Sequence, residues 1–238
     1  MTNQPNVLVQ SADFEFAALS EAKNYRAALL HDFRVYLQGN VLEVGAGIGQ
    51  MTSELRQIPE IKRLCSIEPD PAFCAKLLST IPHHDLLNGT ISDLKSETNW
   101  NAILSINVLE HIKLDIEELV AYHRLLRPAG GKLCLFVPAR PEIYAPIDRD
   151  FGHFRRYTRL ELHTMLKKAG FRIERLRYYN IVGYFAWWVS FCLLKKRSFD
   201  VAAVRWFDRA IFPVVHGFES RICPPPIGQS LIAVAVAE

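Results

Sequence analysis

Strand-like apolar runs alternate with helix-like segments along this chain from residue 40 onward. Segments with helical spacing of their apolar residues separate most of these runs. Alternation of this kind, with nearly continuous apolar strands, is typical of a parallel sheet covered by helices on both faces. The sequence therefore predicts an α/β fold built on a doubly wound sheet. The strand-like runs lie at residues 41–45, 63–70, 86–92, 101–109, 130–139, 171–180 and 229–238.

Length and composition set the expected domain organisation. With 238 residues, of which 50% are hydrophobic, the chain can bury the core of one large α/β domain that carries an insertion. We expect that domain at residues 40–180 and 227–238, after an N-terminal helical cap at residues 1–39. Residues 139–158, rich in Pro, Arg and Asp, are expected to form a long functional loop. Residues 181–226 are expected to form a helical insertion rich in aromatic side chains.

Charge and cysteine usage disfavour several classes of protein. The formal net charge is +3 and the Lys and Arg residues are scattered, whereas nucleic-acid-binding proteins concentrate basic residues on one face. No nucleic-acid partner is therefore expected. The 5 cysteines include no CxxC pair, which favours a reducing compartment. The first residues show no secretory signal, so we expect a cytoplasmic protein.

A glycine-rich loop follows the first predicted strand, in the sequence VLEVGAGIG of residues 41–49. Glycine lets the backbone turn sharply and lets a ligand approach main-chain N–H groups closely. The spacing is G-x-G-x-G, whereas the dinucleotide-binding fingerprint is G-x-G-x-x-G. The loop therefore predicts a nucleoside site and favours an occupant other than a dinucleotide.

Three carboxylates are predicted near the same end of the sheet as this loop. Glu43 lies in the first strand, Glu68 ends the second strand, and Asp93 follows the third. Acids around the loop would repel a diphosphate, but they favour a nucleoside that carries positive charge. Glu68 is placed to accept hydrogen bonds from ribose hydroxyls.

In these segments the chain resembles the class I S-adenosylmethionine-dependent methyltransferases, and in particular the small bacterial group called type 11 or type 12. The resemblance covers residues 40–180 and rests on VLEVGAGIG, SIEPD, ISDL, NVLEHI and LLRPAGGKLCLFVPA, in that order. It implies a mostly parallel sheet of seven strands with helices on both faces and an antiparallel last strand. It also implies S-adenosyl-L-methionine as the cofactor and S-adenosyl-L-homocysteine as the product.

The resemblance, together with the charge argument for Glu43, gives a set of cofactor-binding residues. Those expected around the methionine portion of the cofactor are Glu43, Gly45, Gly47 and Asn107. Those expected on the ribose and the adenine are Glu68, Pro69, Asp93 and Leu94. Tyr25 lies where related chains have a helix that covers the cofactor. Its ring either stabilises the sulfonium by cation–π attraction or packs as a core residue of that helix.

Two histidines are predicted at strand ends beside the cofactor crevice. His111 follows the fourth strand, and His153 lies in the loop after the fifth. For methyl transfer the protein must align the nucleophile with the methyl group and exclude water. A base adds about 10²–10⁴ in rate when the acceptor is a hydroxyl. We expect His153 to act as this base or to orient the substrate, and the alternative for either histidine is a structural hydrogen bond.

The motif GHFRRYT contains the candidate substrate ligands Arg155, Arg156 and Tyr157. A guanidinium group is a planar donor suited to phosphate or carboxylate. Adjacent residues on a loop do not easily face one ligand, so one arginine is expected to bind substrate or cap a carboxylate. The other arginine is expected to pair with Asp148, Asp150 or Glu161. Structural salt bridges for both arginines are the alternative.

The aromatic insertion bears on the class of acceptor. Residues 181–194 are uncharged and are followed by Lys195, Lys196 and Arg197. This stretch is shorter than the roughly 20 residues that a spanning helix needs. It is expected to enclose an apolar acceptor, to lie at the inner surface of the membrane, or to pack within a subdomain or on a second subunit. We therefore expect a small or lipid-linked hydrophobic acceptor, O-methylation, and a monomer or homodimer.

Two other functions stay open at this point. An NAD-dependent oxidoreductase is disfavoured by the glycine spacing, by Asp93 and by the lack of a Tyr-x-x-x-Lys pair after the fourth strand. A binding protein that kept the fold without catalysis is disfavoured by the intact loop and its acids. No metal is expected, because His83 and His84 lie in a predicted turn with no H-E-x-x-H motif or cysteine pair.

Overall fold

The computed structural model describes residues 20–95, 99–221 and 224–238. Its strands are β1 Gly39–Val44, β2 Ile61–Glu68, β3 Asp85–Asn88, β4 Ala102–Ile106, β5 Lys132–Pro138, β6 Phe171–Tyr179 and β7 Ser230–Ala237. They form one sheet in the order β3-β2-β1-β4-β5-β7-β6. The first five strands pair in parallel, and β7 pairs antiparallel with both β5 and β6. The predicted seven-stranded sheet with an antiparallel last strand is confirmed.

Helices connect the strands and extend beyond the sheet. They are α1 Lys23–Phe33, α2 Gln50–Leu55, α3 Pro71–Thr80, α4 Asp115–Leu126, α5 Pro146–Asp150, α6 Arg159–Lys168, α7 Ile181–Trp187, α8 Val201–Trp206 and α9 Phe212–Arg221. Local sequence explains where several of them begin and end. Asp70 caps α3 through the N–H of Ala72 at 2.7 Å, and Thr158 caps α6 through the N–H of Glu161. Gly170, with φ of 97°, follows the end of α6.

The core lies on both faces of the sheet because side chains alternate along each strand. On β1, Leu42 packs in one apolar cluster and Val41 in the other. The first cluster includes Tyr122 of α4 among the helical side chains that cover the sheet. The second includes Phe33 of α1 and Phe212 of α9. The helices therefore cover both faces, as the doubly wound pattern predicts.

The segment that was expected to be a long loop contains regular structure. Within residues 139–158 the chain forms a single 3₁₀ turn at Pro141–Ile143 and the short helix α5. Proline at the first position of α5 favours the helix, and the carboxylate of Asp148 accepts a hydrogen bond from the N–H of Ala145 at 2.8 Å. Ile147 is fully buried. The segment is thus a packed part of the domain.

The insertion is helical, and it packs on two parts of the protein. Helix α7 continues into the π-helical turns of Trp188–Leu193, and Phe207–Ile211 joins α8 to α9. The side chains of Trp187 and Phe191 pack against residues 143–147, whereas Phe207 and Phe212 pack on the sheet. Within the described ranges no helix has the length and apolar character needed to cross a bilayer. The domain boundaries stay a prediction. The first 19 residues lie outside the described part of the chain, and so does the segment in which no secretory signal was found.

Candidate active site

The glycine loop after β1 turns back over the end of β2. Gly45 and Gly47 have φ of 76° and 55°, the left-handed region that glycine adopts without strain. The N–H groups of Gly45 and Ala46 donate to the carbonyl of Ile67, at 2.9 and 3.1 Å. A Cβ atom on Gly45 would lie 2.3 Å from Cγ2 of Val108. The loop is therefore packed tightly against the segment that follows β4.

Glu68 joins the end of β2 to this loop. Its Oε2 atom accepts a hydrogen bond from the N–H of Gly47 at 2.8 Å, and Oε1 accepts one from the N–H of Asp70 at 2.9 Å. Glu68 is buried, and burial raises the pKa of its carboxyl group. The carbonyl of the next residue, Pro69, accepts a hydrogen bond from the side chain of Asn88 at 3.1 Å. Carboxylate oxygens have further lone pairs, so Glu68 can still accept hydrogen bonds from a ligand.

Glu43 lies beneath the loop. Its Oε2 atom accepts hydrogen bonds from the hydroxyl of Thr52 at 2.7 Å and from that of Ser66 at 2.6 Å. Burial raises the pKa of Glu43, and the charge of Glu68 adds to that effect. The carboxylate of Glu43 thus ties α2 to β2 and supports the loop from inside the protein.

Asp93 caps its own turn. Its Oδ2 atom accepts hydrogen bonds from the N–H and the hydroxyl of Thr90, both at 2.8 Å, and these bonds lower the pKa of Asp93. The next residue, Leu94, packs at the edge of the core. The expected ring of three acids is therefore revised. Glu68 accepts a hydrogen bond from the loop, Glu43 lies below the loop, and Asp93 is engaged in a turn.

Asn107 follows β4 in a conformation that is rare outside glycine. Its φ is 52°, and its N–H donates to the carbonyl of Phe136 at 2.9 Å. Its neighbour Val108 contacts the glycine loop, so Asn107 lies at the carboxyl end of the sheet close to Gly45. Backbone strain of this kind clusters at ligand-binding sites.

Tyr25 lies in an aromatic cluster between α1 and the insertion. Its ring centroid is 5.6 Å from that of Tyr179 and 4.8 Å from that of Phe212. Burial raises the pKa of its hydroxyl group. Its N–H donates to the carboxylate of Asp208 in the insertion at 2.8 Å. These contacts match the second of the two roles that the sequence left open, that of a core residue.

His153 is held in a buried ion-pair network. Its Nδ1 atom lies 3.1 Å from Oδ1 of Asp148, and the same oxygen accepts a hydrogen bond from Nε of Arg156 at 2.9 Å. Burial by itself would raise the pKa of Asp148, but the hydrogen bond from His153 and the charge of Arg156 lower it overall. Because an ionised carboxylate only accepts hydrogen bonds, Nδ1 of His153 donates to Asp148, and Nε2 lies on the opposite edge of the ring.

His111 lies beside His153. The two rings meet edge to face with centroids 4.6 Å apart. Part of His111 is open to solvent, but the protein around its ring lowers its pKa to about 4, and repulsion from His153 contributes. His111 is therefore neutral at pH 7. The fold brings the two predicted histidines together where β4 and β5 end.

The three residues proposed as substrate ligands differ in exposure. The guanidinium of Arg156 is buried between Asp148 and the ring of Trp187, whose centroid lies 4.3 Å from Cζ. Tyr157 is also buried, with its hydroxyl 3.0 Å from Oδ2 of Asp115. Arg155 donates to the same Asp115 oxygen at 2.7 Å and is 36% exposed. Both arginines thus form salt bridges, which matches the alternative that the sequence left open. Arg156 and Tyr157 support the loop from inside, while Arg155 is partly open to solvent.

Comparison with known sequences places the chain in a family. Residues 16–176 match the sequence profile described as the methyltransferase domain, which is more than half of the chain. The chain belongs to this methyltransferase family. The predicted class I methyltransferase, an enzyme that uses S-adenosylmethionine, is thereby confirmed. No curated protein matches the sequence.

Several solved structures share the fold of this chain, although their sequences have low identity to it. A chain described as a methyltransferase from Haloferax volcanii, in complex with the Trm112 methyltransferase activator, has a TM-score of 0.63 at 14% identity, covering 99% of each chain. Another from Bacillus halodurans has a TM-score of 0.59 at 18% identity, covering 89% of this chain and 98% of its own. The N-methyltransferase NodS from Bradyrhizobium japonicum, solved with S-adenosyl-L-homocysteine, has a TM-score of 0.56 at 16% identity, covering 90% and 86%.

One acidic residue of the methyltransferase site was not identified from the sequence. Glu110 is fully buried, and its Oε1 atom lies 4.0 Å from Nε2 of His153. The available signal was its position directly before His111 in the motif NVLEHI. That signal is weak, because the fold alone brings residue 153 next to residue 110.

Proposed function

We propose that the methyltransferase transfers the methyl group of S-adenosylmethionine to a hydroxyl oxygen of a small or lipid-linked hydrophobic acceptor. The observation that best supports the cofactor assignment is the hydrogen bond between Glu68 and Gly47. A nucleoside over the loop would lie beside the carboxylate of Glu68, which suits ribose hydroxyls and a cationic ligand and disfavours a diphosphate. The residues proposed to contact the cofactor are Gly45, Gly47, Glu68, Pro69, Asp93, Leu94 and Asn107, whereas Glu43 and Tyr25 are proposed to support the site from inside the protein. Of these, Glu68, Gly45 and Gly47 have the strongest structural support.

The pair His111 and His153 supports a hydroxyl acceptor. The pair lies at the end of the sheet where the glycine loop also lies, and an imidazole that accepts a proton assists the loss of that proton from a hydroxyl. As that proton leaves, the acceptor oxygen attacks the methyl carbon of the cofactor. The carbon–sulfur bond breaks, its electron pair stays on sulfur, and S-adenosylhomocysteine is released. Asp148 and Arg156 act as positioning residues for His153.

The insertion and Arg155 support a hydrophobic acceptor with an anionic group. Helix α7 and the turn after it expose Phe185, Trp188 and Leu193, while Lys195 and Lys196 follow with exposed side chains. Aromatic and basic side chains in this combination suit the interface of a membrane with anionic lipid. We propose that the protein works in the cytoplasm and contacts the inner membrane surface through this segment. Arg155, on the open side of the loop, is proposed to pair with the anionic group.

An acceptor screen tests this proposal. The purified enzyme is incubated with cofactor labelled with ¹³C on the methyl group and with lipid-linked sugars or apolar hydroxyl compounds. The carbon chemical shift of the product then identifies the methylated atom. We expect label on oxygen, and we expect His153→Ala to lose turnover while it still binds S-adenosylhomocysteine in calorimetry. Label on nitrogen or carbon, or wild-type turnover in His153→Ala, would contradict the proposal.

A further inference from the structure

Three potential metal ligands from two separate segments meet at the carboxyl end of the sheet. Glu110 and His111 lie in the turn after β4, and His153 follows α5. One ligand atom from each lies within 4.8 Å of the other two. His153 has a side chain that is 8% exposed, and its Nε2 atom has no hydrogen-bond partner within the described ranges. A buried imidazole nitrogen that has no hydrogen-bond partner among the described residues therefore faces a buried carboxylate.

The contacts behind His153 resemble those that orient a metal ligand. A histidine that binds a metal usually donates its other ring N–H to a carboxylate, which fixes the tautomer and the ring. Asp148 provides that carboxylate at 3.1 Å from Nδ1. Asp148 is itself held by Arg156 at 2.8 Å and by the N–H of Ala145 at 2.8 Å. The Nε2 atom of His153 is thus aimed at Glu110 by residues outside the cluster.

We propose that Glu110, His111 and His153 bind a divalent transition-metal ion of the zinc class. Two imidazoles and one carboxylate form a ligand set used by catalytic zinc sites, in which a further position stays open for water or substrate. In a tetrahedral zinc site, ligand atoms about 2.0–2.2 Å from the ion lie roughly 3.3–3.6 Å apart. Glu110 Oε1 and His153 Nε2 are 4.0 Å apart, and the three ligand atoms lie within 4.8 Å of one another, so side-chain rotations that bring them closer would close the site around one ion. His111, open to solvent in part, lies on the accessible side of the site.

A bound ion would explain how this site assists methyl transfer. This explanation rests on the proposed function. An acceptor hydroxyl in the open position would lose its proton to water more readily, because a bound cation stabilises the oxygen anion. The oxygen would then attack the methyl carbon, with the electron pair of the broken carbon–sulfur bond remaining on sulfur. His153 acts here as a ligand, and Asp148 as its positioning residue. A metal site could not be predicted from the sequence, because its ligands come from two segments and form no single motif.

Metal titration tests the site without any acceptor. Protein treated with a chelator and dialysed is titrated with Zn²⁺ by calorimetry and with Co²⁺ by visible absorption. We expect one site per chain, and Co²⁺ absorption bands of a site with nitrogen and oxygen ligands. His111→Ala and Glu110→Gln should each weaken binding about tenfold or more, and Asp148→Asn about 10- to 100-fold through its effect on His153. His163→Ala, at an exposed histidine of α6, is the matched control and should bind as the wild type does.

The fold of each variant is checked by its affinity for S-adenosylhomocysteine, which should stay at the wild-type value. His111→Ala keeps the test decisive if Glu110→Gln fails to fold, because His111 is partly exposed. Wild-type protein that binds neither ion would overturn the proposal, as would unchanged ion binding in His111→Ala. Ion binding without O-methylation would contradict the proposed acceptor chemistry and leave the metal site standing. O-methylation at the full rate in protein shown to be free of metal would overturn the proposed role of the ion in methyl transfer.

Discussion

At the scale of single residues, Glu68 connects the sequence most directly to cofactor binding. Its two carboxylate oxygens accept hydrogen bonds from the main-chain N–H groups of Gly47 and Asp70. Such contacts fix the orientation of the carboxylate before a ligand arrives. A ribose that meets this carboxylate gains hydrogen bonds, and a ribose that meets a truncated side chain leaves its hydroxyls without those partners.

Replacement of Glu68 tests this role. We expect Glu68→Ala to weaken the binding of S-adenosylmethionine and S-adenosylhomocysteine by about 1–3 kcal/mol, the free energy lost when ribose hydroxyls are left without hydrogen-bond partners. Isothermal titration calorimetry measures both ligands, and NAD is titrated beside them. Glu60→Ala is the matched control, since it removes an exposed carboxylate just before the other end of β2. Equal affinities in Glu68→Ala and the wild type, or tight NAD binding, would contradict the assignment.

Residue types and spacing predicted which side chains come near the site, but not which way they point. Glu68 ends a strand, so the topology brings it to the loop. Asp93 lies in a turn whose own donors engage it, and the contacts of Thr90 decide that outcome. Arg155 and Arg156 are adjacent and chemically equal, and the second is buried by its contacts with Asp148 and Trp187. Such choices depend on neighbours that are distant in the sequence.

At the scale of elements, α1 is capped by another part of the chain. Asp208, buried in the insertion, accepts hydrogen bonds from the N–H of Asn24 at 2.9 Å and from that of Tyr25 at 2.8 Å. The residue before α1, Ala22, makes no side-chain cap. The negative charge also suits the positive end of the helix. The insertion therefore contributes directly to the stability of α1.

Loss of this cap should loosen α1. We expect Asp208→Ala to reduce the free energy of unfolding by about 0.5–2 kcal/mol, the usual contribution of a helix cap. Urea unfolding measures the total, and hydrogen exchange at the N–H groups of residues 24 and 25 locates the change. Asp200→Ala is the control, because Asp200 caps α8 within the insertion through Ala202 and Ala203. Asp200→Ala should leave hydrogen exchange in α1 unchanged. If Asp208→Ala also leaves it unchanged, the Asp208 cap does not stabilise this helix.

Periodicity predicted the central elements closely and the irregular ones less well. Helix α4, Asp115–Leu126, lies between β4 and β5, as the alternation of strands and helices predicts. Helix α5 and the remote cap on α1 were not predicted, since a helix of one turn has no periodicity to detect. The π-helical turns of the insertion also have no sequence signature. Local sequence patterns show which face of a helix or strand is buried. The short helix, the remote cap and the π-helical turns depend instead on contacts between distant segments.

At the scale of the whole molecule, one surface of the insertion is apolar and borders basic residues. The buried side chains Trp187 and Phe191 fix one side of the α7 segment against the domain. Phe185 and Trp188 consequently lie at the surface, 52% and 45% exposed. Exposed large apolar side chains that cluster in this way indicate an interaction surface.

Vesicle flotation tests contact between this surface and a membrane. We expect the protein to float with vesicles that contain anionic phospholipid, and to float less at high salt. Lys195→Gln with Lys196→Gln should weaken binding roughly 30-fold, since each lysine contributes about 1 kcal/mol near such a surface. Phe185→Ser with Trp188→Ser should also weaken it. Leu160→Ser, which removes an exposed apolar residue of α6, is the control and should float as the wild type does.

Flotation that is independent of anionic lipid, or unchanged in both double variants, would contradict a membrane contact at this segment. An oligomer that dissociates in the Phe185→Ser and Trp188→Ser variant would instead assign the surface to a second subunit. Analytical ultracentrifugation of the same proteins separates these outcomes.

The position of β7 in the sheet has a consequence for the synthesis of the protein. All residues of β7 are buried, and β6 reaches the rest of the sheet only through β7. A growing polypeptide therefore cannot complete its sheet until residues 230–237 have left the ribosome. Until then β5 has an unpaired edge and the aromatic insertion has no finished domain to pack on, which are conditions that promote aggregation. Nascent chains stalled in the insertion should therefore be substrates for chaperones and proteases.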